Sequence, residues 1–151
     1  MKLAAAAGLA KELMGKHGLL PKWKFEFDRA VVRFGCCNWR DRKITLSAKL
    51  VAINDEPAVR DTILHEIAHA LTSPRCGHGP KWRRIARSIG ANGERCYGDE
   101  VVMPPHKYVG TCPTCRRTIR RNRRAKVSCA HCDRAFNPKH LFRWSRHSGI
   151  R

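Results

Sequence analysis

The chain is poor in acid. It carries 12 aspartates and glutamates against 31 lysines and arginines, a formal charge of +19 at pH 7. It also lacks any apolar run long enough to span a membrane, which excludes a helical membrane protein. No segment repeats at a fixed period, which excludes a solenoid or propeller. At 151 residues it has room for one compact domain and a small appendage, not for two large cores. Its eight cysteines are not spread as a disulfide framework, because four of them form two C-x-x-C pairs. An N-terminal signal segment is not expected either. Lys11 and Glu12 interrupt the Ala/Leu run, and Leu3, Ala6, Ala7, Ala10, Leu13 and Met14 recur at helical spacing, so an amphipathic helix ending near Gly15 or Gly18 is predicted. These features together predict an intracellular, cytoplasmic protein.

The acid deficit is uneven. Residues 1–106 hold 18 basic and 11 acidic residues, a balance of +7, whereas residues 107–151 hold 13 and 1, a balance of +12. The last third of the chain therefore suits a polyanion, most simply nucleic acid. Composition changes sharply after the Pro-rich joint "VVMPPHKYVG", which places a boundary near residues 104–107 and gives two domains, 1–105 and 106–151.

What is present before that joint reads as a mixed α+β core. In "WKFEFDRAVVRFG" the alternation of Trp23, Phe25 and Phe27, followed by Val31, Val32 and Phe34, predicts two strands or a hairpin turning near Asp28–Arg29. "CCNWRDRK" reads as a polar turn and "KITLSAKLV" as a third strand, for a sheet of about three strands. "NDEPAVRDTILHEIAHALTS" reads as a helix capped by Asn54 or Asp55 and stopped by Pro74. After a loop, "PKWRRIARSIGANG" gives another helix with Trp82, Ile85, Ala86 and Ile89 on one face.

The helix "TILHEIAHALTS" carries the chemistry. Residues four apart differ by only about 40° around a helix, so His65 and His69 project side by side and can grip one zinc ion. Glu66, beside the first of them, is placed to reach a water rather than the metal. A third ligand is needed. His78 is preferred because Gly77 and Gly79 flank it and let it approach closely; Glu94 and Glu100 are the alternatives, and Cys76 reads as a bystander thiol. The metzincin arrangement is excluded, because the positions where it requires Gly and His are Thr72 and Arg75.

"TILHEIAHALTSPRCGHGPKWRRIARSIG", with "RFGCCNWRDRKITLS" upstream, resembles the SprT-like family of zinc metallopeptidases, which includes the Spartan DNA–protein crosslink proteases. The resemblance covers about residues 25–140 if a following zinc ribbon is included. It implies a small zincin-like metalloprotease core, with His65, His69 and His78 as ligands of a catalytic zinc and Glu66 as the catalytic residue. The departure is the short connection from His69 to His78, which bears on the shape of the substrate cleft. No partner-binding tail of the Spartan kind is expected after the ribbon. The mechanism implied is metal-assisted peptide hydrolysis with Glu66 as general base; Tyr97 and His106 are candidates for assisting the oxyanion.

The second domain carries "CPTC" and "CAHC", thirteen residues apart. Cys112, Cys115, Cys129 and Cys132 in that spacing predict a structural zinc site, so about two zinc ions per chain are expected. His131 lies inside the second knuckle but is not needed. A thioredoxin-like redox pair would require a βαβ setting that is absent. Between the knuckles, "RRTIRRNRRAKVS" places Arg116, Arg117, Arg120, Arg121, Arg123, Arg124 and Lys126 with no acidic residue between Lys107 and Cys132, which predicts a phosphate-contacting ribbon. Tyr108, Phe136, Phe142 and Trp144 either stack on unpaired bases or form the ribbon's small core. Cys36, Cys37 and Cys96 read as free thiols.

The expectation is thus a monomeric, DNA-associated zinc endopeptidase of the nucleoid, working in DNA repair. DNA and proteins bound or crosslinked to it would be its partners. The competing class is a non-catalytic nucleic-acid-binding protein with two structural metal sites, against which Glu66 argues.

Overall fold

The computed structural model describes residues 1–96, 98 and 101–147. Tyr97 and Glu100, named above as candidates, lie outside them. The chain divides into two compact units, Met1–Pro104 and Pro105–Arg151. The class is α+β, as the sequence predicts: a three-stranded mixed sheet with four α-helices, then a second three-stranded sheet beside four clustered cysteines.

In the first unit, helix α1 (Leu3–Lys16) buries Ala6, Ala10, Leu13 and Met14, while Leu3 stays exposed. Strands β1 (Lys24–Asp28), β2 (Gly35–Asn38) and β3 (Lys43–Ser47) form a sheet in the order β1-β3-β2. The expected hairpin after Phe27 is not there. β1 runs parallel to β3, and the hairpin is made by β2 and β3 instead. Asp28 explains the crossover: its carboxylate accepts from the Ala30 amide at 2.9 Å, the Thr45 hydroxyl at 2.8 Å and Arg33 at 2.6 Å, so the chain bends away where a tight turn was expected. Val31 and Val32 consequently join no strand, and only Phe34 of that trio is buried. The "polar turn" is also shorter than predicted. Cys36, Cys37 and Asn38 belong to β2, and the reversal is confined to Trp39–Arg42, where Asn38 holds the Asp41 amide at 3.0 Å.

The predicted third strand ends halfway, at Ser47. There the chain turns into helix α2 (Ala48–Ile53), because the buried Ser47 hydroxyl accepts from the Leu50 amide at 3.1 Å while donating to the Ala30 carbonyl at 2.6 Å. Helix α3 (Glu56–Leu71) follows, capped by Asp55 through the Ala58 amide at 3.1 Å, with Pro57 in its first turn. It is buried on most sides, packing on α1, on β2 and on helix α4 (Pro80–Ser88). Val59, Ile63 and Ile67 are fully buried along it, and Trp82 and Ala86 of α4 close the core. No helix among the described residues is long and apolar enough to cross a membrane.

The second unit is a sheet ordered β5-β4-β6, formed by β4 (Tyr108–Thr111), β5 (Thr118–Arg121) and β6 (Arg143–Arg146), all antiparallel. A short 3₁₀ turn, Pro138–His140, precedes β6. Phe142 and Trp144 pack on Gly110, where a Cβ would meet the Trp144 ring at 3.0 Å, so these two aromatics form the unit's small core.

The Ser47 double contact generates a stability prediction. Ser47→Ala leaves the Leu50 amide and the Ala30 carbonyl without their partner and should cost about 1–2 kcal/mol. Urea unfolding midpoints of the two proteins measure it, and an unchanged midpoint would contradict this account of the strand-to-helix turn.

Candidate active site and cysteine cluster

Helix α3 places His65, Glu66 and His69 on the wall of a cleft of about 600 Å³. The cleft is also bounded by β2 and by the turn that carries His78. That turn is closed by hydrogen bonds from the Cys76 amide to Ser73 at 2.9 Å and from the Gly79 amide to Cys76 at 3.2 Å. Gly77 takes a left-handed φ of +50°, a conformation that other residues rarely adopt, and Gly79 then starts α4. The effect is to aim His78 back at α3.

The three imidazoles meet at their Nε2 atoms. His78 Nε2 lies 3.0 Å from that of His65 and 3.0 Å from that of His69. One ring nitrogen carries at most one proton, so His78 cannot donate to both neighbours. Three facing lone pairs of this kind are a donor set for a cation, and tetrahedral zinc with bonds of about 2.0–2.1 Å would place such nitrogens about 3.3 Å apart. The residues present therefore fit a zinc ion. Burial holds the rings in the neutral form that a metal requires: it lowers His65 to about 3, with the charges of His69 and His78 adding to it, and His69 to about 4. His78 is lowered as well, by burial and then by Arg95 and Arg83.

Behind the histidines stands Trp82, fully buried, with its ring centroid 4.6 Å from His65, 5.1 Å from His69 and 4.6 Å from His78. The His69 ring is stacked on it, at 27° between planes. Trp39 donates its indole N–H to the His69 carbonyl at 3.2 Å, satisfying a helix-end acceptor beside the cleft. The pattern of the sequence puts Trp82 on an apolar face but gives no sign that it backs all three histidines. Trp39 was hidden in a stretch that reads as a polar turn.

Glu66 is nearly buried, at 5% exposure. Burial pushes its carboxyl up to about 8, against the opposing pull of the Arg33 guanidinium and of the Cys37 amide that donates to it. Cys37 itself is pushed up to about 12 by burial and by Glu66, so it is a neutral thiol in the cleft wall. Among the described residues neither Cys36, Cys37 nor Cys76 joins the histidine cluster. Glu94, the alternative ligand, is exposed and 3.7 Å from Arg87, away from the three nitrogens. His106 belongs to the second unit. Arg95 is a cationic side chain on the cleft that no sequence signal marked.

In the second unit Cys112, Cys115, Cys129 and Cys132 cluster within 4.8 Å of one another. Cys112 and Cys132 have sulfurs 3.8 Å apart, and Cys115 and Cys129 3.6 Å apart. Disulfide sulfurs would be about 2.05 Å apart. Tetrahedral zinc with bonds of about 2.3 Å would set the thiolates about 3.8 Å apart. His131 is exposed and outside the cluster.

The seven basic candidates are all exposed, but they do not share one face. Arg116 sits in the first knuckle turn with φ of +61°, followed by Arg117. Arg120 and Arg121 are consecutive on β5 and so point to opposite sides of the sheet. Arg121 pairs across the sheet with Tyr108 and Tyr108 with Arg146, while Arg124, in the loop after β5, sits over the Tyr108 ring at 5.5 Å. Arg123 and Lys126 lie in that same loop. Phe136 is the most exposed of the four aromatics, at 57%.

A sequence profile of the SprT-like family matches residues 7–101, more than half of the chain. The chain belongs to the SprT-like family. Among solved structures, the metallopeptidase zymogen jannalysin of Methanocaldococcus jannaschii is similar at 19% identity and a TM-score of 0.49, covering 59% of this chain and 85% of that one. The SprT-like match ends ahead of the four-cysteine unit.

The buried carboxyl of this SprT-like core sets a pH prediction. Its folded pKa of about 8 lies above the ordinary 4.5, so as pH rises through that window the unfolded chain ionises first and stability is lost. Metal-free Glu66→Gln should therefore melt higher than metal-free wild type, by a margin that grows from about pH 5 to about pH 8. Thermal melts in chelator measure this, and a margin independent of pH would contradict the burial argument.

Proposed function

We propose that this SprT-like protein is a zinc-dependent endopeptidase that acts on proteins bound or crosslinked to DNA. The observation that carries the reading is the convergence of three imidazoles beside a buried carboxyl in an open cleft. A structural metal site has no use for either the carboxyl or the cleft.

His65, His69 and His78 would hold the ion, and Trp82 would keep their rings in register. A zinc ion there supplies Lewis acidity, which polarises a carbonyl and acidifies a water molecule. Glu66 is the general base: its carboxylate takes the proton of the attacking water and delivers it to the departing amine. Burial opposes the ionised form that a base needs, while the Cys37 amide and Arg33 favour it, and a zinc ion on the neighbouring histidines would favour it further.

Cys112, Cys115, Cys129 and Cys132 would hold a second, structural zinc that fixes the two knuckles. The ribbon would then bring the monomer to DNA. Arg121, Arg124 and Arg146 around Tyr108 offer guanidinium groups for phosphates and a ring for a base, while Arg116, Arg117, Arg120, Arg123 and Lys126 add sequence-independent attraction. This reading places the protein with the nucleoid and in DNA repair.

The test compares wild type with Glu66→Gln on a DNA-binding protein substrate, with no DNA, single-stranded DNA and duplex DNA. Glu66→Gln should lose activity by about a hundredfold or more, and DNA should raise the wild-type rate. Equal activity of the two proteins would sink the assignment of Glu66 as base, and no activity above background in either would favour a non-catalytic nucleic-acid-binding protein. A rate indifferent to DNA would sink the recruitment model. Replacing Arg121 and Arg124 together by alanine should weaken DNA binding and flatten its salt dependence by about two phosphate contacts, measured by fluorescence anisotropy across a salt series.

A further inference from the structure

Strand β2 is the edge of its sheet, and its first residue, Gly35, is buried against Glu66. A Cβ built on Gly35 would lie 2.6 Å from Glu66 Oε1, 2.7 Å from its Cγ and 3.0 Å from its Cδ. All three of its nearest neighbours are therefore atoms of one side chain. The backbone there is not left-handed, so an L-residue could adopt it; what forbids a side chain is the carboxylate. A glycine in a strand often marks a place where another group comes close. Two residues on, the Cys37 amide donates to the same carboxylate. Glu66 is thus seated between a bare Cα and a backbone N–H of one strand.

We propose that Gly35 is a positioning residue for the reaction: the missing side chain makes the seat that holds the Glu66 carboxylate at its place in the cleft. This rests on the reading of Glu66 as the base, but the seat itself is a matter of packing and can be tested without activity. A Cβ at Gly35 must displace the Glu66 side chain from its Cγ outward, because overlaps at 2.6–3.0 Å cannot be absorbed by a small rotation. Displacing a catalytic group by about 1 Å costs about a hundredfold in rate.

The test is a double-mutant cycle on the zinc-loaded protein: wild type, Gly35→Ala, Glu66→Ala and the double variant. Gly35→Ala should lower the melting temperature by several degrees in the wild type. In the Glu66→Ala background it should cost nothing or raise it, because the obstruction is gone and alanine stiffens the unfolded chain. If Gly35→Ala alone does not fold, recovery of the fold in the double variant is the supporting result and failure to recover is the overturning one. An equal loss in both backgrounds overturns the proposal. In kinetics, Gly35→Ala should lose about a hundredfold in kcat with KM and zinc content held; wild-type kcat overturns the proposal. Should Glu66→Gln prove fully active, the base assignment fails while the stability cycle still decides the seat. Should Glu66→Gln be inactive and Gly35→Ala fully active, the seat fails and the base assignment stands.

Discussion

The structure turns on one constraint: α3 must be buried on most of its surface and still keep one strip of side chains on the wall of a cleft. Val59, Ile63 and Ile67 anchor it in the core, and His65, Glu66 and His69 occupy the strip facing the cleft. Everything else near the site serves that division. α4 supplies Trp82 as a floor under the imidazoles, the turn at Gly77 returns His78 to them, and β2 closes over Glu66 without a side chain at Gly35. Three rings with facing lone pairs are unfavourable company for one another unless a cation lies among them. α3 fixes His65 and His69 one turn apart, and the hydrogen-bonded turn at Gly77 returns His78 to them.

Burial does electrostatic work in this arrangement. It keeps His65 and His69 neutral far below the ordinary histidine range and lifts Glu66 to about 8. Histidines that stay neutral are available as ligands. Arg33 and the Cys37 amide restrain the lift. The same helix face therefore carries groups shifted in opposite directions: burial moves the histidines toward the neutral form a metal needs and moves Glu66 away from the ionised form a base needs, which Arg33 and the Cys37 amide favour.

Much of this was legible in the sequence, and for a physical reason. Metal ligands are set by local spacing: i and i+4 on a helix, a Gly-flanked histidine, and paired C-x-x-C turns each fix geometry over a few residues. The structure brings His65, His69 and His78 together, and the four cysteines likewise. What could not be read was tertiary. The parallel pairing of β1 with β3 depends on Asp28 gathering Ala30, Arg33 and Thr45, contacts that span seventeen residues and leave no periodic trace. α2 hides in a β-like string because a single hydroxyl at Ser47 ends the strand. Gly35 lies at the join between a strand-like string and a stretch that reads as a turn, and nothing in the string marks the carboxylate packed against it. The charge run of the ribbon was plain, but its division between two faces follows from strand alternation and emerges only with the register.

The proposed histidine site would bind its metal independently of the four cysteines. Zinc content settles it most directly, measured by elemental analysis on wild type and on His78→Ala with the four cysteines intact. About two zinc ions per chain are expected in wild type and about one in the variant. About one in both, or about two retained without His78, would contradict it.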